Sequence, residues 1–187
     1  TLTTHAYNTV IDALNGTRSA LDPNAVDCAA TLLQRARQVF CFGQGGSQAL
    51  ANDIWARFAT ISTKFHTAGD SHMQAITASL LGPEDVVLFI SYSGSTRDMM
   101  DTLHLAKESG AKVILITHYD DAPGAALADV VLLCGAKESP LDSGSMPVKL
   151  AVLFVASVLV LRYTLDNQEL ASLSLTRTSH ALGNKLL

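Results

Sequence analysis

Val86-Val87-Leu88-Phe89-Ile90 runs directly into Ser91-Tyr92-Ser93-Gly94-Ser95-Thr96. Five apolar residues in a row do not alternate as a strand with one wet face would, so this strand is expected to be covered on both sides. Val113-Ile114-Leu115-Ile116 has the same character. Working outward, short apolar strands are predicted at Val39–Phe42, Thr63–His66, Val86–Ser91, Val113–Thr117 and Val130–Leu133. Helical stretches are predicted between them, at Gln48–Ala59, Ser71–Leu81, Arg97–Ser109 and Pro123–Ala128. Gly82-Pro83 and Gly110 close the helices before the third and fourth strands. Alternating βα units give right-handed crossovers and an α/β three-layer αβα sandwich on a five-stranded parallel sheet, with the flavodoxin-like order 2-1-3-4-5.

Residues 1–38 read as an N-terminal helical pair packed on a domain at 39–187, one structural domain overall. In the first helix Tyr7, Val10, Ile11 and Leu14 share a face. In the second, Asp22-Pro23 supplies a cap and a first-turn proline before Val26, Ala29, Ala30 and Leu33. A long helix is expected from Met146 to Tyr163 and a weaker one from Gln168 to Leu187. The run Leu150–Leu161 falls well short of the ~20 apolar residues of a membrane span and reads as a buried helix.

Apolar residues make up 48% of the 187 and charged residues 16%, a core-rich composition without disordered character. A net charge of −4 argues against this segment holding nucleic acid unaided, since a phosphate backbone calls for a basic face. Cys28, Cys41 and Cys134 have neither CxxC nor zinc spacing and are expected to be buried, reduced thiols of a cytoplasmic protein. No His, Asp, Glu and Cys cluster has metal-binding spacing, and no metal or cofactor is expected. A helical pattern begins at once at Thr1, where a start methionine would stand, so the chain is expected to have been cut from a longer protein.

Two loops carry the chemistry. Gly43-Gln44-Gly45-Gly46-Ser47 follows the first strand, and Ser91–Thr96 follows the third. Each opens a helix whose first amides lack an internal carbonyl, a natural anion site through its donors and its dipole. In the 2-1-3-4-5 order these strands flank the switch point where ligands bind, so the loops would meet. The first loop alone also fits a bare strand-turn-helix. It is neither a dinucleotide fingerprint nor a P-loop, because Gln48 stands where the last glycine belongs and no Gly-Lys-Ser/Thr follows. Four hydroxyls within 91–96 exceed what capping needs.

The sequence SYSGST followed by Arg97 and Asp98 resembles the phosphate-binding signature of sugar isomerase (SIS) domains, and GQGGS resembles their first loop. Ala36-Arg37-Gln38-Val39, Ala51-Asn52-Asp53, Asp70-Ser71-His72, 106–111 and Ala128-Asp129-Val130 extend the likeness over most of the chain. With its leading helical pair the pattern is most similar to the C-terminal effector domain of RpiR-type transcriptional regulators. The resemblance implies phosphate ligands at Ser47, Ser91, Ser93 and Thr96, assisted by the backbone of Tyr92 and Ser95. It implies a phosphorylated sugar as effector, a homodimer or homotetramer, and DNA contact only through a separate N-terminal helix-turn-helix domain. An aldose–ketose isomerase of phosphosugars is the alternative, for which Glu138 and His72 would be the catalytic candidates.

Ser95 stands where glutamate or aspartate is frequent in the family, and Lys149 and Ser157 stand where many relatives have arginine and aspartate. Sugar-contact candidates are Gly45, Gly46, His72, Glu138 and Lys149. His72 either reaches the sugar or is a surface histidine near the Asp70 cap. Glu138 is a sugar-hydroxyl acceptor, a base, or a solvated loop carboxylate. Lys149 either neutralises phosphate or snorkels from an apolar helix.

Overall fold

The computed structural model describes residues 1–135 and 146–183. Five strands, β1 (Gln38–Gly43), β2 (Phe65–Thr67), β3 (Asp85–Ile90), β4 (Lys112–Thr117) and β5 (Val130–Leu133), form one parallel sheet in the order β2-β1-β3-β4-β5. This is the topology expected from the sequence. β3 is buried along its whole length, as its unbroken apolar run requires.

Helices cover both faces. On one side lie α1 (Leu2–Ala20), α2 (Pro23–Arg35), α3 (Gly46–Ala59) and α6 (Met146–Asp166). Val39, Cys41, Leu88, Ile90, Ile114 and Ile116 of the sheet join their core. On the other side α4 (Ser71–Ser79) and α5 (Arg97–Glu108) pack Ala78, Met99, Leu103 and Ala106 against Phe42, Val87, Phe89, Val113 and Leu115. A final helix, α7 (Gln168–Gly183), buries only Ala171. Each large side chain removed from water in these cores contributes about 1.5–3 kcal/mol.

Local chemistry sets several boundaries. Asp22 accepts the Asn24 amide at 2.9 Å to start α2, and Asp70 accepts the Met73 amide at 2.8 Å to start α4. Lys64, just before β2, donates to the carbonyls of Leu33, Gln34 and Ala36, satisfying the end of α2. Arg37 forks onto the fully buried Asp85 carboxylate at 3.1 and 2.7 Å, tying the start of β1 to the start of β3.

Some expectations are corrected. The stretch 123–128 is a single 3-10 turn at Ala125–Leu127, not an α-helix: the Gly124 amide is drawn away to the Gly94 carbonyl at 2.8 Å. The face of α1 that meets the protein is Ala13 and Thr17, while Tyr7 and Ile11 are exposed, because the helix approaches through small residues. Cys28 is exposed, whereas Cys41 and Cys134 are buried and burial pushes both thiols up to about 12, so neither is a nucleophile at neutral pH.

The helix α6 extends past the expected run. It is 21 residues long and holds an 18-residue window of mean hydropathy 2.0, long and apolar enough by length and composition to cross a membrane. Its packing gives it another use: Val148, Ala151, Val152, Val155, Ala156, Leu159 and Tyr163 fill the core against the sheet and its neighbouring helices.

Candidate functional site

Parallel register decides where the two glycine- and serine-rich loops lie. Gly43 at the end of β1 pairs with Ile90 at the end of β3, so Gln44 and Ser91 leave the sheet side by side. From there the chain diverges, β1 feeding α3 on one face and β3 feeding α5 on the other. The crevice between them is the switch point of the fold.

A cleft of about 250 Å³ occupies that crevice. Gln44, Gly46 and Ser47 line it from the first loop, Ser91, Tyr92, Ser93 and Thr96 from the second, and Lys149 from the first turn of α6. Leu50, Phe89, Ile90, Val148 and Val152 supply its apolar wall. Among these described residues there is one basic side chain and no carboxylate. Such a lining favours an anion, since hydroxyls and an ammonium donate and no fixed negative charge repels.

The second loop engages its own amides at Ser91, Gly94 and Ser95 and offers the cleft its serine hydroxyls. The Tyr92 carbonyl is held by the His118 amide and the Thr117 hydroxyl, both at 3.0 Å. The Ser91 oxygen accepts the Gly94 amide at 3.2 Å, which leaves its own O–H to donate. Ser93 likewise accepts from the Ser95 amide, at a long 3.4 Å. Thr96 is the N-cap of α5 and lines the cleft, and its side chain makes no capping bond to the helix.

The first loop contributes less backbone than its glycines suggest. The Ser47 amide donates to the Gln44 carbonyl at 3.0 Å and the Gln48 amide to the Gly45 carbonyl at 3.2 Å. Two of the amides that an opening helix was expected to leave free are therefore engaged, and the Ser47 hydroxyl is the donor this loop adds to the cleft. The loop is fixed from below by Gln74, fully buried on α4, whose amide donates to the Gly43 carbonyl and to Gln48 Oε1, both at 2.8 Å.

The cleft thus brings together Ser47, Ser91, Tyr92, Ser93, Thr96, Gly46 and Lys149. Other expected positions lie elsewhere. Ser95 is exposed and outside the cleft lining, and Gly45 instead borders an adjoining hollow with Gln48, Asp70, Ser71 and Asp98. His72 is exposed on α4 beside that hollow rather than in the cleft, because Asp70 starts the helix and turns position 72 outward. Glu138 lies outside the described residues. Lys149 is half-buried and makes no ion pair among the described residues. Among the described residues no three His, Cys, Asp or Glu side chains are grouped to hold a metal ion.

Sequence reasoning missed Gln44. Its Nε2 is buried in the cleft wall and has no partner among the described residues, a donor available to a ligand oxygen. Nothing in the spacing distinguishes a glutamine inside a glycine loop from a spacer.

The SIS domain family profile matches residues 32–162, most of the chain. The chain belongs to the SIS domain family. Over 92% of its length this SIS domain is 31% identical to the HTH-type transcriptional regulator RpiR of Escherichia coli, and it spans 58% of that protein. Among solved structures, the sugar isomerase domain of the RpiR transcription factor from Sphaerobacter thermophilus is 26% identical with a TM-score of 0.86, over 96% of this chain and 98% of that one. The NanR protein of Vibrio vulnificus, solved in complex with ManNAc-6P, has the same fold at a TM-score of 0.93 and 22% identity, over 100% of this SIS domain and 70% of that chain.

Proposed function

We propose that this SIS domain is the effector-binding part of a cytoplasmic transcriptional regulator, and that it binds a phosphorylated sugar with the phosphate between the β1 and β3 loops. One observation carries the reading. The hydroxyls of Ser47, Ser91, Ser93 and Thr96 line a single crevice with Lys149 and no described carboxylate. A dianion placed there meets neutral hydroxyl donors, the dipole of α5 and one ammonium, each favourable to negative charge. Gln44 Nε2, Gly46 and the adjoining hollow are then available to the sugar.

The regulator assignment is supported by the 31% identity to RpiR, of which this chain spans about three-fifths, and by the likeness to the sugar isomerase domain of a second RpiR factor. DNA contact belongs, on this reading, to a helix-turn-helix segment outside this chain, and the working unit is a homodimer or homotetramer. In that assembly exposed His72 and the exposed apolar residues of α1 and α7, including Tyr7, Leu170 and Leu173, would meet a second copy. A sensor switches only if its ligand binds two arrangements with different affinity.

Calorimetric titration with a panel of phosphosugars, beginning with ManNAc-6P, tests the assignment when paired with proton NMR of the same mixtures. Saturable binding with an unchanged sugar spectrum over hours is the expected result. Steady isomer conversion abolished by Glu138→Gln would replace the sensor with an isomerase.

A further inference from the structure

The helix α1 has an unusual seat. Of its 19 residues only Ala13 and Thr17 are buried. At that point the backbone of the segment leaving β5 comes against it. The Gly135 amide donates to the Thr17 hydroxyl at 3.2 Å, and that hydroxyl donates to the Ala13 carbonyl at 2.7 Å. A side chain at Gly135 would put its Cβ 2.3 Å from the Gly16 carbonyl, so only glycine allows this contact.

The same segment is fastened to the second loop of the cleft. His118 Nδ1 lies 2.7 Å from the Cys134 carbonyl, and because a carbonyl only accepts, this nitrogen carries the proton. The His118 ring stacks on Tyr92, with centroids 5.0 Å apart and planes inclined by 7°, and its backbone amide holds the Tyr92 carbonyl. Tyr92 lines the cleft between Ser91 and Ser93.

We infer that the run Tyr92–His118–Cys134–Gly135–Thr17 couples the phosphate loop to α1, with His118 and Thr17 as positioning residues. The inference rests on the phosphate site proposed above. A ligand that fixes Ser91 and Ser93 fixes the Tyr92 carbonyl and ring. That in turn holds His118 over Cys134 and keeps Gly135 against Thr17. Ala13 packs α1 into the core it shares with α6, and Thr17 is the buried polar side chain that ties the helix to the segment leaving β5.

Hydrogen–deuterium exchange of the chain, with saturating inorganic phosphate or ManNAc-6P against sodium chloride at matched ionic strength, supplies the test. Exchange is expected to slow about fivefold or more over residues 91–99 and, in parallel, over 13–20 of α1. Thr17→Val, which keeps the shape but removes the hydroxyl, keeps the slowing at the loop and loses it in α1; Thr17→Ser restores both. His118→Phe, which keeps the stack but not the Nδ1 donor, gives the same loss by a second route and serves if Thr17→Val does not fold. Loop slowing in the unmodified chain without any α1 response overturns the coupling, as does an α1 response that survives in both variants. Absence of slowing at the loop itself overturns the phosphate site instead.

Discussion

Gly94 and Ala122 stand so close that a Cβ on the glycine would lie 2.7 Å from the alanine methyl, and Gly94 is held at φ 59. The turn that presents Ser91, Ser93 and Thr96 therefore depends on a position that is both left-handed and crowded. Gly94→Ala is expected to cost about 1–3 kcal/mol of stability and to weaken phosphosugar binding at temperatures where the protein remains folded. Urea denaturation beside calorimetry separates the two effects. Unchanged stability would mean the loop relaxes more easily than this contact implies.

Ser93 is half-buried, lines the cleft and, among the described residues, accepts one long bond, from the Ser95 amide. Ser93→Ala should leave the melting temperature of the free protein nearly unchanged while weakening phosphosugar binding by about 1–3 kcal/mol, the worth of a hydroxyl bonded to a charged group. Full affinity in this variant would place the phosphate elsewhere.

Lys149 is the only basic side chain among the described residues that line the cleft. Replacing it by methionine keeps the apolar stem and removes the charge. Affinity is expected to fall roughly tenfold, with a weaker dependence on salt, if the ammonium meets the phosphate. Loss of stability without loss of affinity would make it a snorkelling residue of α6.

Acid stability should depend on Asp129. Burial pushes its carboxyl up, but hydrogen bonds from Lys107, the Val113 amide and Lys112, with the Lys107 charge, outweigh this and hold it below the ordinary aspartate value. A folded-state value below the unfolded one stabilises the protein above the unfolded value, and that stability is lost as pH falls through the folded one. Asp129→Asn is therefore expected to lower the melting temperature near neutrality and to flatten its decline at the acid end, below the ordinary aspartate range. A decline of unchanged steepness would assign the acid sensitivity to other carboxylates.

The sheet was legible because its central strands are apolar without interruption. A run such as 86–90 leaves no polar face to expose, and the order 2-1-3-4-5 follows from βα alternation together with the switch-point loops. The loops that line the cleft were legible for a related reason: glycine and clustered hydroxyls stand at the ends of the two strands beside the switch point. What escaped depended on tertiary partners. The 3-10 turn at 125–127 is set by the Gly94 carbonyl and the seat of α1 by Gly16 and Gly135, contacts distant in sequence. The apolar face of Tyr7 and Ile11 looked like a core stripe but is exposed, and His72 carries no mark that separates an outward position from an inward one.

The central claim is that the cleft recognises the phosphate of a sugar phosphate. Thermal melting with each phosphosugar and its unphosphorylated parent compares the two directly. At about 100-fold excess over Kd the phosphorylated member should add roughly 2.7 kcal/mol, or about 5–10 °C, and the parent sugar almost nothing. Equal shifts for a sugar and its phosphate would contradict the account.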